Sequence, residues 1–372
     1  MSKLTPRTIS TAADHAHPDA RHGRGAINNA TNRYEAERRQ REDDGWGNLE
    51  EAEPLRTVLH EDTSRSIIAW NKSPDVPFDR SINPYRGCEH GCVYCFARPT
   101  HAYLGFSPGL DFETQIVVKR NAAQLLRKEL AARSYKPAVL SMGTNTDPYQ
   151  PVERELKITR SILEVLLETR HPLGIVTKNF LITRDIDILS EMARLNLVKV
   201  HVSVTTLDRK LARAMEPRAS TPPKRLEAIR LLNEAGIPCG VMPAPMIPQL
   251  NDMELERILE AAYDAGAREA GFVLLRLPLE LKEIWREWLQ EHYPDRAARV
   301  MKMVREARGG ADYVPQFGNR MRGEGPYADL IAQRFKLACS RLGFNKRRLP
   351  TRSDLFVLPG KSDRDERQGS LF

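Results

Sequence analysis

The stretch Tyr85-Arg86-Gly87-Cys88-Glu89-His90-Gly91-Cys92-Val93-Tyr94-Cys95-Phe96 places three cysteines within eight residues, and the chain has only two others, Cys239 and Cys339. Thiolates are soft, charged ligands that gather around iron-sulfur clusters or zinc. Three on one short loop leave a metal valence unfilled, and an unfilled iron site can bind something. The competing reading is a structural zinc site completed by His90, Cys239 or Cys339. Zinc ribbons present two separated Cys-x-x-Cys pairs, however, and a second pair is absent from the sequence. A disulfide framework is disfavoured by the odd cysteine count and the lack of a secretory leader pattern. Cys239 and Cys339 stand alone and read as small buried hydrophobes.

The 372 residues suffice for one large α/β barrel with extensions, or for two ordinary domains. No uninterrupted apolar run is long enough to cross a bilayer, which predicts a cytoplasmic protein with no membrane partner, in reducing conditions that suit an oxygen-sensitive cluster. A net charge of +8 favours acidic partners, nucleic acid being the commonest. The signal is diluted, because 57 basic residues are interleaved with 49 acidic ones in the manner of solvated helix faces. The most basic local run is Lys346-Arg347-Arg348, with Arg352 following.

Residues 1–53 contain only Leu4, Ile9, Ile27 and Leu49 from the set Leu, Ile, Val and Phe, too little apolar surface to offset chain entropy. They are expected to be largely disordered, with His15, His17 and His22 solvated. The aromatic-bearing strings Asn32-Arg33-Tyr34-Glu35 and Asp43-Asp44-Gly45-Trp46 are the parts suited to docking on the folded body. Residues 54–80 read as a lead-in, 81–278 as the core, 279–348 as a helical extension, and 349–372 as a flexible tail.

Within 81–278 strand and helix patterns alternate. Arg80–Tyr85 reads as a strand feeding the cysteine loop, and 121–132 as a helix with Ala122, Leu125, Leu126 and Leu130 on one face. Further strands are expected over 138–143, 173–177, 198–204, 239–246 and 270–275. Helices are expected over 157–170, from a Thr183 cap towards Asn196, from a Thr221 cap with Pro222 at the first position to a stop at Gly236, and from about Asn251. Six βα repeats suggest a parallel sheet with right-handed crossovers. Periodicity alone leaves an open doubly wound sheet and a barrel equally admissible.

The spacing Cys88-x3-Cys92-x2-Cys95, with an aromatic residue before the last cysteine, resembles the signature of the radical S-adenosylmethionine superfamily. The strings Ser81-Ile82-Asn83-Pro84-Tyr85-Arg86-Gly87-Cys88, Thr146-Asp147-Pro148-Tyr149-Gln150-Pro151 and Ser203-Val204-Thr205-Thr206-Leu207-Asp208 resemble a bacterial branch grouped beside the spore photoproduct lyases, over roughly Gly23 to Phe344. The resemblance implies a partial (β/α)6 TIM-like barrel, with a 4Fe-4S cluster held by Cys88, Cys92 and Cys95 beyond the first strand. It implies that the fourth iron chelates S-adenosylmethionine, and that one electron, from a donor such as flavodoxin or ferredoxin, releases a 5'-deoxyadenosyl radical that abstracts hydrogen. Tyr94 would then lie against the adenine. Gly143 and Thr144 match, by position, the site where the superfamily binds the methionine amino group.

Chemistry in parallel barrels collects at strand C-termini, which directs attention to the remaining candidates. Asp147 is either a second ligand of the cofactor ammonium or a turn-former. Lys178 places an ammonium where a cofactor carboxylate needs a partner. Ser203, Thr205 and Thr206 carry hydroxyls suited to a ribose, while Met242, Pro243 and Ala244 offer an apolar wall for adenine. Arg276, set among leucines, needs a substrate anion or an internal carboxylate; Arg218, Arg320 and Arg322 are weaker candidates of the same type. Photoproduct lyases return hydrogen to the product from a cysteine, and no cysteine lies between Cys95 and Cys239; Tyr149 is the side chain on the Gly143 turn available to replace it. The functions consistent with these residues are a radical enzyme of open substrate, a lyase of DNA lesions, and a non-catalytic zinc-stabilised binding protein.

Overall fold

A computed structural model describes residues 23–34, 55–347 and 350–360. Its main sheet has seven strands: β2 (Ile68–Trp70), β3 (Arg80–Ile82), β6 (Leu140–Met142), β7 (Leu173–Thr177), β8 (Val198–Ser203), β9 (Cys239–Met242) and β10 (Glu269–Ala270), in the order β10-β9-β8-β7-β6-β3-β2. β3 and β6 to β10 are parallel in chain order, and β2 pairs antiparallel with β3 at one edge. The two edges, β2 and β10, do not pair, so the barrel is open. The expected parallel α/β barrel of six repeats is thus present. The antiparallel strand and a second sheet, β1 (Val58–Glu61), β5 (Gln115–Val118) and β4 (Tyr85–Arg86), are additions to it.

Burial explains the strand composition. Leu140, Met142, Leu173, Ile175, Val200, Val202 and Val241 are fully enclosed between the helices and the barrel interior, as parallel strands covered on both faces must be. Helices Ile158–Glu168, Ile186–Arg194 and Leu255–Asp264 cover the sheet with the faces formed by Ile162, Leu166, Leu189, Ile258 and Leu259.

Several expected bounds shift for local reasons. The strand expected over Arg80–Tyr85 divides at Asn83-Pro84, where proline has no amide hydrogen for the ladder, and Tyr85–Arg86 passes to the second sheet. Thr183 does not cap its helix: its hydroxyl donates to the Phe180 carbonyl, Asn179 caps a 3-10 turn over Phe180–Asp185, and the helix begins at Ile186. The fifth strand stops at Met242 and the sixth covers only Glu269–Ala270; the expected remainder persists as a single parallel bridge between Met246 and Leu274, while the Leu274 amide donates to the Met321 carbonyl of the C-terminal extension.

Both ends depart from the expected looseness where they are described. Residues 23–34 lie across the cysteine loop, with the Leu110 amide donating to the Asn28 carbonyl and Arg33 paired with Glu280. Residues 350–360 fasten to the opposite end of the barrel through Arg352 N to Asn196 O and Val357 N to Thr169 O. His15, His17, His22, Glu35, Asp43 to Trp46, Arg348 and Leu349 lie outside the described residues. The extension carries helices Leu281–His292, Pro294–Glu306 and Gly325–Leu342. Among the described residues no helix is long and apolar enough to cross a membrane.

Candidate functional site

β4 delivers the chain to the cysteine loop, and the Cys88 amide donates to the Phe112 carbonyl at 2.8 Å. Two tight turns follow, Gly91 N to Cys88 O and Cys95 N to Cys92 O. Gly91 has φ +65° and packs so closely that a Cβ there would sit 2.5 Å from Glu113 Oε2, so only glycine fits. Cys88 and Cys92 are buried, Cys95 is half-buried, and none of the three is in a disulfide.

The sulfurs are close enough to repel one another's charge. Burial, then Asp147 and the other two thiols, push Cys88 well above the usual thiol range; burial and Glu216 push Cys92 upward, with Lys178 acting in the opposite sense. Crowded buried thiols become thiolates when a soft cation replaces their protons. The donor set therefore fits an iron-sulfur cluster. It fits a zinc site completed from elsewhere poorly: His90 directs Nε2 to Asn179 (2.9 Å) and Nδ1 to Asp147 (3.4 Å), while Cys239 is buried at the start of β9 and Cys339 in the helix Gly325–Leu342. Among the described residues no three His, Cys, Asp or Glu side chains converge as around a single ion.

A buried scaffold fixes the loop from beneath. The Arg98 guanidinium donates to the carbonyls of Cys92 (2.9 Å), Gly91 (3.2 Å), Pro108 (3.1 Å) and Gly109 (2.8 Å), and pairs with Glu113. Glu113 in turn accepts from the amides of Gly25 (2.9 Å) and Ala26 (2.8 Å), so one ion pair ties the 23–34 segment to the loop. On the other side Gln150 Oε1 accepts from the Glu89 amide at 2.8 Å.

The other candidates are distributed around the strand ends. Lys178 Nζ stands 5.8 Å from the Tyr94 ring centre, near enough to act on Cys92, and has no carboxylate partner among the described residues. Gly143 turns at φ +89°, and the Thr144 hydroxyl approaches Asn83 Oδ1 at 3.4 Å. Asp147 uses both oxygens internally: Oδ1 accepts from Thr177 Oγ1 (2.7 Å) and the Tyr149 amide (2.9 Å), and Oδ2 accepts from the Lys178 amide (2.7 Å). Tyr94 donates to Glu216, a buried carboxylate that also receives Arg225. The hydroxyls of Ser203 and Thr205 each lie 3.1 Å from the Ala244 carbonyl, so the ribose-facing role expected of Ser203 competes with an internal bond. Met242 ends β9, beside that contact. Arg276 stacks on Phe96 at 4.2 Å. The structure corrects the hydrogen-return role given to Tyr149. Its ring is wholly buried in the main core and its hydroxyl lies among Asp185, Arg184 and Glu153, leaving no surface for a substrate.

Arg98, Glu113, Gln150 and Glu216 were not singled out by the sequence as site residues, and their types give no signal of burial. Only the position of Gln150 within the Thr146–Pro151 string, and of Glu216 beside Pro217 and Arg218, pointed near them.

The Asp147 clamp has a pH signature. Burial raises its pKa, but the neighbouring His90 and the bonds from His90, Thr177 and the Lys178 amide outweigh burial and hold it at about 2. A depressed pKa stabilises the fold above the unfolded value near 3.9 and loses that contribution as pH falls towards 2. The step is worth about 2.5 kcal/mol. In urea melts of cluster-free protein between pH 5 and 2, Asp147→Asn is expected to lose this step; an unaltered pH slope would refute the clamp.

The model of the Radical SAM superfamily matches residues 82–262. An uncharacterized protein of Mycobacterium tuberculosis is 38% identical over 307 residues, covering 81% of this chain and 86% of its own length. An uncharacterized protein of Methanocaldococcus jannaschii is 29% identical over 215 residues, covering 58% and 76%. Among solved structures, a spore photoproduct lyase complexed with dinucleoside spore photoproduct aligns over 77% of this chain and 80% of its own, with TM-score 0.53 and 18% identity. That likeness concerns the fold.

Proposed function

Because the chain belongs to the radical SAM superfamily, whose enzymes use a 4Fe-4S cluster, S-adenosylmethionine and a reductant, we propose that Cys88, Cys92 and Cys95 hold that cluster and leave one iron to the cofactor. When bound, the cluster supplies one electron that breaks the sulfonium C5'–S bond, giving methionine and a 5'-deoxyadenosyl radical that takes a hydrogen atom from the substrate. The observation that carries the reading is the trio of free thiols at the strand ends, with the Lys178 ammonium, which has no carboxylate partner among the described residues, beside Cys92.

Lys178 receives the cofactor carboxylate by a charge-assisted bond. Gly143 and Thr144 border the amino group, with Asp147 holding their turn to Thr177. Tyr94, fixed by Glu216, orients the adenine against the wall of Met242 and Ala244. Ser203 lines the ribose side, and Arg276 faces the substrate. The reductant is a small low-potential carrier of the flavodoxin or ferredoxin type in a reducing cytoplasm, and the net charge of +8 is compatible with a nucleic-acid substrate.

Dimer reversal of the photoproduct type is the second reading. The absence of cysteine between Cys95 and Cys239, with Tyr149 buried, deprives the Gly143 turn of a hydrogen donor and argues against it. A zinc-stabilised binder finds no fourth ligand in His90, Cys239 or Cys339, for the reasons of placement given above.

Anaerobically reconstituted protein, reduced in the presence of S-adenosylmethionine, is expected to form 5'-deoxyadenosine; none above the cluster-free control would reject the proposal. Lys178→Gln is expected to weaken cofactor binding about 10- to 100-fold at unchanged iron content, the size of a lost hydrogen bond to a charged group. Equal binding in a calorimetric titration would remove Lys178 from the site.

A further inference from the structure

The two edges of the open sheet come together through the segments that follow them. After β2, Asp75 accepts from the Gly318 amide at 2.6 Å and pairs with Arg320, whose Nη2 also reaches Ser73 at 2.6 Å. After β10, Arg276 lies close enough to feel Asp75, Arg320 and the Cys95 thiol. Arg308 joins them, donating to the Leu275 carbonyl at 2.9 Å.

Three guanidiniums thus gather where these segments meet, and Arg276 is the one beside Cys95. Two carboxylates act on them, and both are already held: Asp75 by Arg320 and the Gly318 amide, Glu324 by Asn319 at 3.1 Å. One positive charge is left over. Among the described residues Arg276 has no carboxylate in contact; it is half-buried and stacked on Phe96, the residue directly after Cys95. Burial and the other guanidiniums lower the pKa of Arg276 and Arg308, which marks the crowding of like charge. A partly desolvated cation in that setting requires an anion.

The surroundings narrow the class of anion. Phe96 is 44% exposed and Phe317 is 55% exposed, and each carries a stacked arginine, Arg276 at 4.2 Å and Arg320 at 4.6 Å. A single surplus charge matches one phosphodiester linkage, and exposed aromatic rings next to arginine are the platform on which unpaired bases stack. We propose that Arg276 receives a backbone phosphodiester of a single-stranded nucleic-acid substrate, with an adjoining base against Phe96, so that a nucleotide is presented beside the cysteine loop. This inference rests on the radical reading of that loop.

Anisotropy of a fluorescent oligothymidylate tests it on reconstituted, full-length protein under anaerobic conditions. Arg276→Gln is expected to weaken binding about tenfold and to lower the slope of log affinity against log salt by about 0.7, one single-strand phosphate contact. Phe96→Leu, at an exposed ring, is expected to weaken binding about tenfold with the slope unchanged. Wild-type affinity and slope in Arg276→Gln would overturn the assignment. So would displacement of the oligothymidylate by an equimolar polyglutamate, or loss of S-adenosylmethionine binding in the same variant, which would give the arginine to the cofactor. Formation of 5'-deoxyadenosine by the wild type separates the two levels: if it forms and the oligothymidylate does not bind, only the phosphodiester site falls; if it does not form, the radical reading falls and takes this site with it.

Discussion

Cys92→Ser, reconstituted anaerobically, loses its iron and forms 5'-deoxyadenosine at a rate reduced more than about 100-fold. Disturbing the outer partners of a metal ligand costs 10- to 100-fold, and here the ligand itself is removed. Serine is a harder donor that does not ionise in a buried loop, and Cys92 is the buried central member whose carbonyl is held by Arg98. Cys239→Ser and Cys339→Ser serve as controls and retain iron, since these residues stand in β9 and in the C-terminal helix. Iron and sulfide analysis with chromatographic assay of the nucleoside checks both expectations. Full iron content in Cys92→Ser would show that the loop is not the ligand.

Glu113→Gln is expected to produce a large loss of stability. It leaves the Arg98 guanidinium, wholly buried, without its charge partner, a change that costs about 3–5 kcal/mol. It also weakens the acceptor for the Gly25 and Ala26 amides, which releases the 23–34 segment from the loop. In a chain of this size the thermal midpoint is expected to fall by about 5 °C. Gly25→Val acts on the same junction by contact, because a Cβ at Gly25 would meet the Gly91 carbonyl oxygen at 1.8 Å. Both variants are expected to take up less iron on reconstitution. Arg98→Met combined with Glu113→Gln should recover part of the loss, since removing both charges leaves none buried alone, and a double-mutant cycle measures the coupling. A midpoint unchanged in Glu113→Gln would mean that the pair is incidental to the loop.

The barrel was legible because its strands are short apolar runs between clear helix stops; β7 occupies the residues read from sequence, 173–177. The family resemblance carried by the cysteine spacing then chose the barrel over the open doubly wound sheet, which hydrophobic periodicity could not do. Legibility failed where a polar side chain takes part in a long-range partnership. Glu113 lies 88 residues from Gly25, and Arg98 and Glu216 are charged residues of the kind expected at a surface, yet each is buried with an opposite charge. Residues 23–31 read as unstructured for a related reason, whereas Asn32-Arg33-Tyr34 read as suited to docking. The anchoring of residues 23–31 is by backbone amides and arginines to the loop, and hydrophobic content does not report such bonds. Tyr149 was misplaced because the turn's position could be inferred but the direction of its ring could not.

Electron paramagnetic resonance of the reduced, oxygen-free protein, recorded before and after adding S-adenosylmethionine, tests the central claim most directly. The three-thiol loop with a fourth iron free for the cofactor is expected to give the signal of a one-electron-reduced 4Fe-4S cluster whose g-values shift when the cofactor is added. A cluster signal indifferent to the cofactor, or zinc in place of iron in the same material, would contradict it.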